Sequence, residues 1–149
     1  MPNSLIDKDF GEQTAHTGEK ACLQQLSAKI TVSCQPNMKS AQVVLAERFS
    51  KALTKSEFDE AHAMLTRAAK QAISASELRR RYKEMTDDGG PVTRVEAMQD
   101  TSTWPGKERD DVAWVYVAIS GNIFAEAVSV VVAREDGQEL IRSVEWGRP

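Results

Sequence analysis

The dipeptide Asp136-Gly137, set between two runs of β-branched and aromatic residues, constrains this chain more than any other feature. Both central residues of a tight hairpin turn need positive φ, and aspartate followed by glycine tolerates it, so the pair fixes two antiparallel strands in register. That register sets Glu135 opposite Gln138, and hence Val132 opposite Ile141 and Ser129 opposite Val144. Upstream, Ser120-Gly121-Asn122 signals another turn. A two-residue turn at Gly121-Asn122 places Ser120 opposite Ile123, Val117 opposite Glu126 and Val115 opposite Val128. Strands are expected at 92–99, 112–120, 122–135 and 138–146.

Before Val92 the pattern is helical. Ala41, Val44, Leu45, Phe49, Ala52 and Leu53 recur at spacings of three and four, giving a helix over 39–53 with those residues inward. Thr54-Lys-Ser-Glu57 has the form of a capping box and opens a helix over 55–71, with Phe58, Ala61, Met64, Leu65 and Ala68 as its buried stripe. Ser74-Ala-Ser-Glu77 opens a third over 75–86, with Leu78, Tyr82 and Met85 inward. Asp87-Asp88-Gly89-Gly90-Pro91 stops it. The fold class is therefore α+β: three N-terminal helices packed on a curved four-stranded antiparallel sheet, within residues 38–149.

Residues 1–37 are polar and without sustained periodicity. They form an appendage, either poorly ordered or covering a sheet face, with a short helix near 19–29 as one option; the remainder is expected to fold without them. Cys22 and Cys34, with eleven residues between them, fit no CxxC motif. With no apolar leader after Met1, cytoplasmic residence and reduced thiols are the default expectation. A formal charge of −3 argues against nucleic acid or an anionic membrane as partner. The basic run Arg79, Arg80, Arg81 and Lys83 reads as a solvated helix face. No metal cluster, phosphate loop or nucleophile elbow is present, so no cofactor and no metal are expected. At 149 residues one domain of this length buries roughly two-thirds of its unfolded surface.

The expected register sorts the sheet into two sides, because opposed residues share a face. An aliphatic side carries Val115, Val117, Ile119, Phe124, Val128, Val130, Val132 and Ile141, with Glu126, Ser143 and Glu145 among them. An aromatic side carries Trp114, Tyr116, Ala125, Ala127, Ser129, Val131, Leu140, Arg142, Val144 and Trp146. Neither alternates apolar with polar, so both require a cover, one from the helices and the other from a second subunit or the appendage. The ligand-binding candidates are Trp114, Tyr116, Arg142 and Trp146, with His62 pointing in from helix two. Large rings beside small residues leave room there, and the guanidinium of Arg142 offers an anion two parallel bonds. The plainer reading has the rings packed on the helices.

Three helices followed by an antiparallel sheet ending in hairpins, with the passage Thr54-Lys-Ser-Glu-Phe-Asp-Glu-Ala-His-Ala-Met-Leu65, resembles the nuclear-transport-factor-2-like superfamily over about 39–146. The resemblance implies a cone-shaped domain that dimerises through its sheet, with helices and pocket on the same side. It therefore favours the aromatic row inside and the aliphatic row, Val130 included, at a dimer interface. Members include ketosteroid-isomerase-like and dehydratase enzymes, as well as binding modules such as immunity proteins of bacterial toxin systems. Fold does not choose among these.

An enzyme needs a tuned acid–base group, and no residue stands out as catalytic. His62 is a lone helical histidine, and His16 lies in the appendage. Asp100, Asp110 and Asp111 flank the Trp104 loop, where acidic residues are ordinarily solvated. Tyr116 could supply an oxyanion donor, and Glu126 is isolated among valines. The expected function is a non-enzymatic binding or interaction domain, homodimeric through the sheet and of the immunity-protein kind, with a protein or small molecule as further ligand. The alternative is a small-molecule enzyme using the cone pocket. A cavity of a few hundred cubic ångströms beside Trp114 and Tyr116 would discriminate between them.

Overall fold

A computed structural model describes residues 38–148 except 88. The expectations for the appendage, for His16 and for the two cysteines lie outside the described residues. Helices α1 (Ala41–Thr54), α2 (Phe58–Ala63), α3 (Arg67–Ala72) and α4 (Ala75–Thr86) precede strands β1 (Val92–Thr101), β2 (Asp111–Gly121), β3 (Ala125–Glu135) and β4 (Gln138–Trp146). The strands form one antiparallel sheet in the order β1-β2-β3-β4. The fold is α+β, as the grammar of the sequence requires. No described helix is long and apolar enough to cross a membrane.

The expected second helix is two helices. Met64-Leu65-Thr66 interrupts it to bond with the sheet: Thr66 N–H donates to the Ile141 carbonyl at 2.8 Å, and Ile141 N–H to the Met64 carbonyl at 2.9 Å. Buried backbone groups must find partners, and these bonds seat Leu65, 1% exposed, against β4. The Thr66 hydroxyl then caps α3 by accepting from Ala69 N–H. Nor does Thr54-Lys-Ser-Glu57 act as a capping box. The Thr54 hydroxyl donates back to the Lys51 carbonyl, and Glu57 makes no side-chain cap. Ser56 instead takes φ 63° and ends α1, with Glu57 N–H donating to the Ala52 carbonyl and Ser56 N–H to that of Leu53. This is a Schellman stop with serine in the place glycine usually holds. The Ser74 box is half made: its hydroxyl accepts from Glu77 N–H, while the Glu77 carboxylate turns to Arg80 and Arg81. Hydrogen bonds from those two guanidinium groups hold the Glu77 carboxyl down to about 2. The basic run is in this sense a solvated, salt-bridged helix face.

The core joins Phe49, Leu53, Leu65 and Leu78 from the helix layer to Val115, Val117, Ile119, Val128, Val130, Val132 and Ile141 from the sheet, all at most 1% exposed. Each such side chain contributes about 1.5–3 kcal/mol on leaving water. The aliphatic row thus faces the helices, reversing the arrangement that the resemblance favoured; Val130 is a core residue. The α1 stripe is also rotated from expectation. Val44 is 52% exposed and Ala41 is exposed, while Val43, Ala46, Glu47 and Ser50 turn inward. Ala68 is exposed, and Ala69 packs on the core in its place. Glu47 reaches the edge strand, where it accepts from Ala97 N–H at 3.1 Å and from Lys39 Nζ. Burial pushes its carboxyl up, but these bonds and the charges of Lys39 and Lys51 outweigh it and leave the group below the ordinary range.

Both hairpins depart from the expected register in one place. At the first, Ser120 pairs with Ala125 and Val117 with Val128, a shift of two residues. Gly121 extends β2, and its N–H donates to the Phe124 carbonyl at 3.0 Å. Phe124 leaves the strand and folds back on two glycines: a Cβ built on Gly89 would stand 2.6 Å from its ring, and one on Gly121 would overlap it. Because the slip is even, every residue keeps its face. At the second, Asp136 (φ 49°) and Gly137 (φ 78°) make the anticipated turn, and Glu135↔Gln138 through Val132↔Ile141 pair as expected. Arg142 is then an extra residue, so that Val131 opposes Ser143 and Val130 opposes Val144. Beyond this bulge the faces exchange. Val144 and Trp146 turn to the helices, and Ser143 and Glu145 turn to the open side.

Candidate functional site

The open side of the sheet, the one that no described helix covers, is built from residues that a helix layer would cover poorly. Trp114 and Tyr116 on β2 are half-buried, with ring centroids 6.2 Å apart. Beside them on β3 runs a row of small residues: Ala127, Ser129, Val131 and Ala133, all at most 6% exposed. β1 contributes Arg94, Glu96, Gln99 and Thr101, paired with Ser120, Ala118, Tyr116 and Trp114.

At one end of this face the segment 102–110 folds over the sheet and is tied down by charge. Arg142 Nε and Nη2 donate to the two oxygens of Asp111 at 2.6 and 2.8 Å, and Nη1 donates to Glu108 at 2.8 Å. Glu108 N–H donates to Asp111 as well, and Arg134 N–H to the Asp110 carbonyl, both at 2.8 Å. Asp111, expected to be solvated, has no exposed side-chain area. Burial pushes its carboxyl up, yet the bonds from Arg142 and Glu108 prevail and hold it below the usual range. The Asp111 hydrogen bonds in turn raise Arg142. The fork that could have received an anion is therefore occupied from within the chain. Lys107 completes the tether, with Nζ 2.7 Å from the Ser102 carbonyl and 5.4 Å from the centre of the Trp104 ring.

Between this segment and the sheet lies a groove of about 510 Å³, lined by Trp104, Pro105, Trp114, Val131, Ser143 and Glu145 among others. It is the cavity looked for beside Trp114, but it opens on the outer face and not under the helices. Of the five candidates, Trp114 and Arg142 line it, and Tyr116 adjoins Trp114. Trp146 lies on the other side of the sheet, packed on the core, and its Nε1 finds no acceptor among the described residues. His62 is on α2 with Nε2 3.4 Å from the Lys70 carbonyl, away from the groove. Glu126 pairs with Ile119 and shares a shallow surface with Trp146 and Glu84. Trp104, Ser143 and Glu145 also line the groove and are not among the expected site residues; the expected register puts Ser143 and Glu145 on the opposite side of the sheet. Trp104 stood in plain sight, as a large ring in a Pro-Gly loop; the other two are delivered by the bulge. Among the described residues no three histidine, cysteine, aspartate or glutamate side chains are grouped so as to hold a metal ion.

Among solved structures the chain is similar to a Campylobacter jejuni protein named provisionally as an NTF2-like transpeptidase, at TM-score 0.52 and 15% identity, over 70% of this chain and 99% of that one. The chain has a nuclear-transport-factor-2-like fold. At that identity the likeness is one of architecture alone. No protein-family model matches the chain, and no curated protein sequence matches it. Within the nuclear-transport-factor-2-like frame, this chain fills its helix-facing side mainly with valine and isoleucine and keeps Trp114 and Tyr116 on the outer face.

Proposed function

We propose that this chain is a non-enzymatic interaction domain, homodimeric through the open face of its sheet. The observation that carries the reading is the asymmetry of the two sheet faces. The helix-facing side is closed by fully buried aliphatic side chains, and the open side holds Trp114 and Tyr116 beside a strip of small residues. The strip itself is at most 6% exposed, so the half-exposed rings supply the contact area, and under a two-fold axis one self-complementary patch serves both subunits. Half-exposed rings with a polar tip suit an interface, where one end is dry and the other wet. An immunity-protein-like role is one use of such a surface.

The enzyme alternative draws less support. The transpeptidase name of the Campylobacter protein calls for a nucleophile with a base in reach. Here Thr101, Thr103 and Ser143 supply hydroxyls to the groove, while His62 lies on α2.

Sedimentation equilibrium at micromolar concentration tests the proposal. The wild type is expected to be a dimer. Tyr116→Glu should give a monomer with unchanged circular dichroism. Val130→Asp should instead unfold the domain, since an unpaired charge in the core costs about 4–5 kcal/mol or more. A monomeric wild type overturns the homodimer.

A further inference from the structure

The groove at the loop end of the open face has a composition of its own. Its walls are two indole rings, Trp104 and Trp114, with Pro105 at the lip and Glu145 exposed on the sheet side. Its one cationic lining residue, Arg142, is spent: three of its nitrogens are bonded to Asp111 and Glu108. The salt bridges of the described residues leave Glu145 out. Two positive charges, Arg142 and Lys107, thus stand against Asp111, Glu108 and Glu145, so the groove and its support carry one net negative charge, and Glu145 is the carboxylate left outside the salt bridges. The Trp104 ring already accepts a cation, the ammonium of Lys107.

From this charge complementarity we infer that the groove takes an extended peptide segment carrying arginine, the guanidinium stacked on an indole face and bonded to Glu145. A guanidinium suits both contacts at once, because it is planar enough to lie on a ring and forked enough to take a carboxylate in two bonds. Val131 and Gly106 are also among the residues that line the groove. The inference rests on the open face being a contact surface, but not on a second copy being what occupies it.

The full chain is titrated with a short synthetic peptide alternating proline and arginine, and with its glutamate counterpart, following tryptophan fluorescence and heat. The arginine peptide should bind and the glutamate peptide should not, with affinity falling as sodium chloride is raised. Glu145→Lys and Trp104→Ser, both at solvent-accessible positions, should each weaken binding about three- to fivefold or more, the range of exposed ion pairs and cation–π contacts. Equal affinity for the glutamate peptide, or indifference to Glu145→Lys, overturns the inference. A wild-type dimer that ignores the arginine peptide overturns it and leaves the open-face reading standing. Dissociation of that dimer by Glu145→Lys would assign the groove to the second copy instead. A monomer that binds neither peptide ends both.

Discussion

Removing the carboxylate charge of Asp111 isolates the tether that shapes the groove. In Asp111→Asn the side chain keeps its size, but one oxygen becomes an amide donor facing Arg142, which loses at least one of its 2.6 and 2.8 Å bonds. Breaking a buried pair costs 3–5 kcal/mol when the survivor is stranded. Arg142 is not fully stranded, since its side chain is 29% exposed and Glu108 remains bonded to it. A cost of about 2 kcal/mol follows, or a fall in Tm of about 8 °C for a domain of this size. Arg142→Met should cost more, about 3 kcal/mol, because it leaves the wholly buried carboxylate with the Glu108 N–H but without its guanidinium. The double variant should cost less than the sum, since both remove one interaction.

The pH dependence has a definite sign. The folded-state pKa of Asp111 is lowered, so its stabilisation is fully present above the unfolded value, about 3.9, and is lost as pH falls through the folded one. Glu47 is also lowered and weakens the wild type in the same window, so the useful quantity is the difference between wild type and Asp111→Asn. The difference in urea midpoint should hold from pH 7 to about pH 4 and shrink only at lower pH, as the folded-state carboxyl takes up its proton. A thermal shift below about 1 °C at pH 7, or a larger cost for Asp111→Asn than for Arg142→Met, refutes the reasoning.

Two further substitutions test the local geometry. Ser56→Gly should stabilise by about 1 kcal/mol, seen as a rise in Tm of about 4 °C, because serine at φ 63° carries a strain that glycine lacks. Gly89→Ala should destabilise by about 1–3 kcal/mol through overlap with the Phe124 ring, 2.6 Å from the new Cβ; in a Phe124→Ala background the added cost, read from urea midpoints, should shrink.

What could be read from the sequence was local chemistry. Asp136-Gly137 has one compatible turn, and it set four cross-strand pairs correctly. Face assignment on β2 and β3 survived a wrong loop length because side chains alternate with period two, so that only an odd slip would have exchanged the faces. The errors are tertiary. Nothing local in Ala63-Met64-Leu65-Thr66 forbids a continuous helix; the break exists because Ile141 offers its backbone there. The bulge at Arg142 has no glycine to announce it. It follows from the pull of Asp111 and Glu108 on a guanidinium three strands' breadth of sequence away, and with it went the faces of Ser143, Val144, Glu145 and Trp146. Glu47 falls outside the expected apolar stripe of α1 and is buried all the same, because the backbone amide it serves, Ala97, lies fifty positions on.

The orientation of the sheet could nevertheless have been argued from physical chemistry against the resemblance. The row Val115, Val117, Val128, Val130 and Val132 has no polar side-chain atom, so sealing it under helices strands nothing. Trp114 and Tyr116 each carry a donor that must be satisfied when buried, and on the open face both remain half-exposed. Trp146 shows the cost of the opposite choice: turned inward by the bulge, its Nε1 is buried and meets no acceptor among the described residues. Three tryptophan or tyrosine donors under a layer of short helices would have multiplied that penalty, at roughly 1–3 kcal/mol for each unsatisfied group. The sheet therefore presents Trp114 and Tyr116 outward and half-exposed, while Phe49, Phe58 and Trp146 pack in or on the core, so the two rings on its open face are those whose polar tips stay free to bond.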